Sequence, residues 1–260
     1  MTDSGHFYSF INQVLTPSAA SPDAILAVAD SWLVEDGRVR SLQAHFDRFA
    51  SSIDDEVLLQ QLPNFFSQTT ALLPRTGRWF PRIEVHAFET GGAKLHFRLR
   101  TAPDLESQVS LWTHPEPDPR TNPLVKGPDL SLAMQLRRAA QMHGADEAVI
   151  LNAEGFIAEG ALTSIVWWRD DVLCAPGNDI DWLPSVTRNE IFSIADQMGL
   201  VTRSERAKPA DLVGLEVWAI NSLQGIRVVD NWIGLGAPLG TARHVDAFNK
   251  RLRLLSAALD

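Results

Sequence analysis

The sequence predicts an α+β fold, and three observations carry that expectation. Strand and helix patterns are mixed along the whole 260-residue chain, hairpins can be read in both halves, and no internal repeat is present. This mixture fits α+β better than a doubly wound sheet.

The first half reads as helix followed by hairpin. Ser41 stands where it can cap a helix whose apolar residues Leu42, Phe46, Phe49 and Ile53 recur at spacings of four and three. Two alternating runs come next, Arg82 to Phe88 and Leu95 to Arg100, joined by Thr90-Gly91-Gly92. That pattern predicts an antiparallel hairpin with a glycine turn. In its second run Leu95, Phe97 and Leu99 face one way, and His96, Arg98 and Arg100 the other.

The segment from His114 to Pro123 holds four prolines in ten residues. Proline removes backbone donors and restricts its neighbours, so this is a stiff connection rather than an element. It predicts two domains, residues 1–118 and residues 119–260.

The second half alternates helix and short strand. A helix from about Asp129 to His143 stops at Gly144. Glu147 to Leu151 and Phe156 to Glu159 read as a strand pair across the Asn152–Gly155 turn. Ser164 to Trp168 and Val172 to Ala175 flank the turn Arg169-Asp170-Asp171. Thr187 to Gln197 carries the strongest helix signal, with Thr187 and Glu190 placed as a capping box and Val186 and Ile191 as a hydrophobic staple. Glu216 to Ile220 and Ile226 to Val229 are strands. Val245, Phe248, Leu252 and Leu255 mark an amphipathic C-terminal helix.

Composition narrows the function. A hydrophobic share of 45% with 21% charged residues is that of an ordinary globular chain. The formal net charge of -9 argues against nucleic acid as the main partner. A single cysteine, Cys174, rules out an intrachain disulfide and suits a reducing cytoplasm. The first residues, Met1 to His6, lack the basic and apolar regions of a signal peptide, and no apolar run approaches the roughly 18 residues that cross a bilayer. Eight tryptophans are many for this length. Strings such as Ile165 to Trp168 mark core or interface. A soluble, cytoplasmic protein is expected, with neither membrane nor nucleic acid as partner.

Four separated pieces between Val125 and Gln224 point to one chemistry. A lysine stands in Val125-Lys126-Gly127 and a glutamate in Ile157-Ala158-Glu159-Gly160, 33 residues later. Ser185 to Arg188 opens a helix, and Asn221 to Gln224 follows a strand. An amine, a carboxylate and two sets of hydroxyl and backbone donors suit a cofactor with an aldehyde, a ring nitrogen and a phosphate.

With Gly144 to Leu151, Glu154-Gly155 and Glu159-Gly160, these pieces resemble the class IV aminotransferases. These are the fold-type IV enzymes that depend on pyridoxal phosphate (PLP), and they include branched-chain and D-amino-acid aminotransferases and aminodeoxychorismate lyase. The resemblance runs from about residue 28 to 230, is strongest from Lys126 to Ile226, and is visible at Leu42 to Phe49. It implies a two-domain α+β fold similar to D-amino-acid aminotransferase, a homodimer, and PLP bound between the domains. A transaminase is the implied enzyme. A lyase acting on an amino-chorismate substrate and a catalytically silent PLP binder are the alternatives. No metal is implied.

The resemblance also assigns roles. Lys126 matches the lysine that bonds to the PLP aldehyde, although by position alone it reads as a solvated loop lysine. Glu159 matches the acid that keeps the pyridine nitrogen protonated; its ordinary reading is an exposed strand end. Val186 and Thr187, at a helix N-terminus, match one phosphate segment, and Ser222 and Leu223 match the second. Arg48 matches the arginine that reaches the phosphate. It lies roughly 130° from the apolar stripe of its helix, which suits a solvated face as well. Arg100, with Arg98 beside it, matches an arginine that holds the substrate carboxylate, and an exposed sheet face would carry arginines equally well.

The chain departs from the family pattern in three places. Ser164 stands where an asparagine is usual, Gly127-Pro-Asp-Leu130 lacks the tyrosine or arginine found in many members, and Ala27 to Trp32 lacks the glycine-rich substrate motif. These departures bear on the substrate, which the sequence leaves open together with its stereochemistry.

Overall fold

The structure, a computed structural model, describes residues 5–20, 23–89 and 91–259. Strands and helices run in chain order as β1 (His6–Ile11), β2 (Val14–Pro17), β3 (Ala24–Ser31), β4 (Val34–Glu35), β5 (Arg38–Arg40), α1 (Leu42–Ser51) and α2 (Glu56–Leu72). Then come β6 (Arg78–Trp79), β7 (Arg82–Phe88), β8 (Ala93–Leu99), β9 (Gln108–Thr113), α3 (Leu130–Met142), β10 (Glu147–Leu151) and β11 (Ile157–Gly160). The remainder is β12 (Ser164–Arg169), β13 (Val172–Ala175), α4 (Val186–Gln197), β14 (Val201–Ser204), β15 (Glu216–Asn221), β16 (Gly225–Ile233), α5 (Val245–Leu254) and β17 (Ser256–Ala258).

The chain divides into two compact units, and the division differs from the boundary expected at the proline-rich segment. The first unit is Met1–Asp104 with Val125–Pro128 and Leu254–Asp260; the second is Leu105–Leu124 with Asp129–Arg253. Strand β9 therefore belongs to the second unit, because it pairs in parallel with both β10 and β16. Lys126 lies in the first unit rather than the second. Such long-range pairings leave no mark in local composition.

In the first unit an antiparallel sheet has the order β2-β1-β8-β7-β3, and a smaller one the order β17-β5-β4-β6. The β7–β8 hairpin forms in the register Arg82↔Arg98 to Ala87↔Ala93. Its Thr90 lies outside the described residues. Ile83, Val85, Leu95 and Phe97 on one sheet face pack with Phe46 and Phe49 of α1 and Phe65 of α2. Ile53 is buried beyond the end of α1, and Leu42 is half-buried. Ser41 occupies the N-cap position of α1 in a left-handed conformation, φ 48°, with no side-chain cap bond, so it does not cap as expected. Helix α2 is properly capped: Asp55 Oδ1 accepts from the N–H groups of Val57 and Leu58 at 2.8 and 3.2 Å.

The second unit is built on a mixed sheet of order β11-β10-β9-β16-β15-β12-β13-β14. Both faces are covered, which explains its unbroken apolar strands. Ile165, Trp167, Val217 and Ala219 enter one core. Val166, Trp168, Trp218 and Ile220 point the other way, onto Ile191 and Ile194 of α4 and Phe248 and Leu252 of α5. Trp167 and Trp168 are thus core residues, and burying each large apolar side chain contributes about 1.5–3 kcal/mol. Leu255 falls beyond α5 and is exposed.

The cap of α4 differs from expectation. Ser185, extended at φ -82° and ψ 123°, is the N-cap, and its Oγ accepts from the Arg188 N–H at 3.2 Å. Thr187 is buried inside the first turn and forms no capping box with Glu190. Moving the cap two residues earlier, from Thr187 to Ser185, also makes Val186 the first helical residue rather than a staple.

Candidate functional site

In the first unit, the Lys126 segment lies against β3. The Lys126 carbonyl accepts from the Ala29 N–H at 2.6 Å, beside the register shift between Leu26 and Val28. Gly127 adopts φ +145°, and a Cβ there would stand 2.8 Å from Val28 Cα. Glycine is therefore required for this close approach. The Lys126 side chain is half-buried.

The same strand holds Arg48. Asp30 of β3 is fully buried, and its carboxylate accepts from Arg48 Nε at 2.7 Å and Nη2 at 2.8 Å. His45 Nδ1 lies 2.8 Å from Asp30 Oδ1. Burial works against the Asp30 charge, but Arg48 and His45 more than offset it and hold the pKa at about 2. Arg48 therefore does not sit on a solvated face: its side chain is 13% exposed and forked onto a carboxylate.

The polar face of the β7–β8 hairpin is a buried network rather than an exposed row. Glu84 is fully buried and meets Arg82, His86 Nε2 at 2.7 Å and Arg98 Nε at 3.5 Å. Arg98 also lies over the Phe7 ring at 5.3 Å. Burial pushes the neighbouring His96 imidazole down to about 4, and His86 adds to the shift. Arg100 follows β8, half-buried, with its Nε donating to the Phe80 carbonyl at 3.2 Å and its guanidinium 5.1 Å from the Phe80 ring. Burial first, then Arg82 and Arg98, lower its pKa to about 10.

In the second unit, Glu159 is 6% exposed, so it is not a surface strand end. Arg120 Nη1 donates to Glu159 Oε1, as does the Leu183 N–H at 3.1 Å. Leu183 lies two residues before the N-cap of α4, which ties Glu159 to that helix start. Val186 and Thr187 are the first two helical residues, and N–H groups at such positions have no intrahelical acceptor. Arg188 in the same turn is buried; its Nη2 donates to the Pro176 carbonyl at 2.8 Å, and its guanidinium stacks 3.6 Å from the Trp182 ring. Burial lowers the Arg188 pKa to about 10 although Glu159 opposes the shift.

The turn after β15 is organised by Asn221. Its Oδ1 accepts from the Leu223 and Gln224 N–H groups at 3.1 and 2.8 Å, and its Nδ2 donates to the Leu162 carbonyl at 3.2 Å. Ser222 and Leu223 are half-buried on this turn. The Leu223 N–H is engaged by Asn221.

The family model for amino-transferase class IV matches residues 27–232. The chain belongs to the class IV aminotransferases. It is 24% identical over 140 residues to the branched-chain-amino-acid aminotransferase of Escherichia coli K12, covering 50% of this chain and 45% of that protein. It is 33% identical over 100 residues to a probable branched-chain-amino-acid aminotransferase of Rickettsia bellii, covering 38% and 34%. These matches span less than half the length of either relative.

Solved structures are alike over nearly the whole chain. The branched-chain aminotransferase of Thermoproteus uzoniensis with norvaline has a TM-score of 0.83 at 17% identity, covering 96% of this chain and 94% of that one. A PLP-bound hypothetical aminotransferase from Mycobacterium tuberculosis has a TM-score of 0.78 at 17% identity, covering 96% and 98%. The two-domain α+β fold of type IV expected from the sequence is therefore the fold of this chain.

Three residues of this class IV chain escaped the sequence reasoning. Arg120 and Asp118 lie in a segment that proline content marks as a mere connection. Asp30 lies in an apolar strand where its partner is a helix away. Only a buried acid opposite a helical arginine would have signalled the last.

Proposed function

We propose that this protein is a PLP-dependent aminotransferase that moves an amino group between an amino acid and a 2-oxo acid. The supporting observation is Glu159, a buried carboxylate gripped by an arginine and a backbone N–H in a class IV chain. The residues present fit the cofactor. Lys126 offers a half-buried amine on a backbone fixed to β3. The first N–H groups of α4, at Val186 and Thr187, suit a phosphate, with Ser222 and Arg48 as further donors; the Leu223 N–H would have to leave Asn221 Oδ1 to join them. Asp30 already neutralises Arg48 in part, so a phosphate would share that guanidinium.

When bound, PLP acts as an electron sink for the carbanion left at the substrate α-carbon. Lys126 Nζ would shuttle the α-proton, taking it as general base and giving it up at a different carbon as general acid. Glu159 would stand as the carboxylate partner of the ring nitrogen and favour its protonated form. Arg100, assisted by Arg98, is proposed to hold the substrate carboxylate, which fixes the α C–H bond for proton transfer. A homodimer and a cytoplasmic location complete the proposal. Both are supported by the family likeness, and the location also by the single, buried Cys174.

The test is a panel of D- and L-amino acids paired with several 2-oxo acids, run beside an aminodeoxychorismate elimination assay. Amino transfer with at least one pair is expected. Aminobenzoate and pyruvate in place of any transfer would favour the lyase, and bound PLP with neither reaction a silent binder.

A further inference from the structure

Arg120 sits in the proline-rich segment, whose backbone is pinned along β10. The His114 and Asp118 N–H groups donate to the Val149 and Leu151 carbonyls, each at 2.9 Å. The Arg120 side chain is 7% exposed. Its Nε and Nη2 fork onto Asp118 Oδ1 and Oδ2 at 2.9 and 2.6 Å, Nη2 also reaches the Asp181 carbonyl at 3.0 Å, and Nη1 points to Glu159. A planar guanidinium held on one edge by a carboxylate presents its remaining edge in a fixed direction. Lysine would not reproduce that geometry.

We infer that Arg120, oriented by Asp118, is the positioning residue that keeps Glu159 charged and aimed, so that the proton shared with the cofactor ring stays on the ring nitrogen. The inference rests on Glu159 being the partner of that ring. A cation in direct contact with a buried carboxylate favours its charged form and lowers its appetite for a proton. The ring nitrogen lies one group further from Arg120 and feels the same charge less strongly. Arg188 adds positive potential from α4, but its guanidinium is engaged by Pro176 and Trp182. Without Arg120, Glu159 becomes the stronger base of the pair, and the proton moves from ring nitrogen to carboxylate.

The experiment loads the protein with PLP labelled with nitrogen-15 in the ring and reads the ring-nitrogen chemical shift, which separates protonated from neutral pyridine. The parent is expected at the protonated position. Arg120→Gln is expected to move the signal toward the neutral position and to weaken PLP binding about tenfold. Arg120→Lys should retain the protonated signal, because it keeps the charge, while binding PLP less tightly. Asp118→Asn, which loosens the fork, should shift the signal in the same direction by less, and it carries the test if Arg120→Gln does not fold. A protonated parent with an unmoved signal in Arg120→Gln, or in Asp118→Asn where that variant stands in for it, overturns the role of Arg120 alone, since a purely structural residue would change affinity without moving the proton. A parent that binds PLP with a neutral ring overturns the pairing of Glu159 with the ring as well.

Discussion

Asp30→Asn probes the arginine that the fold brings to β3. The parent carboxylate is fully buried and accepts from the Ser31 N–H at 2.7 Å as well as from Arg48. Its pKa stands at about 2 in the folded chain against an ordinary 3.8. At about 1.4 kcal/mol per unit, that gap corresponds to roughly 2–3 kcal/mol of stability. The folded value is the lower one, so the stabilisation is fully present above pH 3.8 and is lost as pH falls through about 2. Asparagine keeps the size but leaves the Arg48 guanidinium without its carboxylate, and breaking a buried pair from one side costs about 3–5 kcal/mol. We expect a loss of about 3 kcal/mol at pH 7 in the opening free energy of β3 and α1, read by hydrogen exchange on their peptides. The difference from the parent should narrow as pH is lowered from 4 toward 2. Replacing both partners, Asp30→Asn with Arg48→Met, should recover part of the loss. A penalty below about 0.5 kcal/mol at pH 7 would place the pair among ordinary surface contacts. A penalty that does not change with pH would refute the role of the carboxylate charge.

Three further outcomes are expected. Glu159→Gln should retain PLP but lose turnover by on the order of 10²-fold, the scale of one misplaced electrostatic contact; activity within a few-fold of the parent would refute its role. Gly127→Ala forces a Cβ to 2.8 Å from Val28 Cα at φ +145°, which should cost about 1–3 kcal/mol in a thermal melt and reduce PLP uptake, whereas an unchanged melt would show that β3 yields easily. Cys174 is fully buried and burial pushes its thiol up to about 11, so a thiol reagent at pH 8 should label it only after denaturation, and rapid labelling of the folded protein would contradict that burial.

Much of the second unit was legible because its signals are local. The hairpin pairs β10–β11 and β12–β13, and the helices α3 and α5, follow from periodicity and turn residues within a dozen positions. The α4 helix was legible too, but its cap was displaced: Ser185 and Thr187 both stand where a cap could be, and only the extended backbone at Ser185 decides between them. Helix α2 has no counterpart in the sequence reading: Pro63 lies inside it and removes one backbone bond. Strand β9, which carries no sequence signal of its own, falls in the second unit rather than before residue 118, because its partners, β10 and β16, are parallel and distant in sequence.

The candidate site divides along the same line. Lys126, Glu159 and the start of α4 are marked by the resemblance to the class IV aminotransferases. Arg120 meets Glu159, and Asp30 meets Arg48, across segments distant in sequence, while the Asp118–Arg120 fork is local but lies in a segment read as a connection. Arg48 shows the difference well. Its position on a helical wheel is ambiguous, and the acid on β3 settles its surroundings.

Lys126 is the residue proposed to carry PLP. Borohydride reduction of the PLP-loaded protein, followed by digestion and mass mapping, tests it directly. A pyridoxyl group is expected on the peptide bearing Lys126, and it should be lost in Lys126→Ala. A label on Lys94 or Lys208, or no covalent label at all, would contradict it.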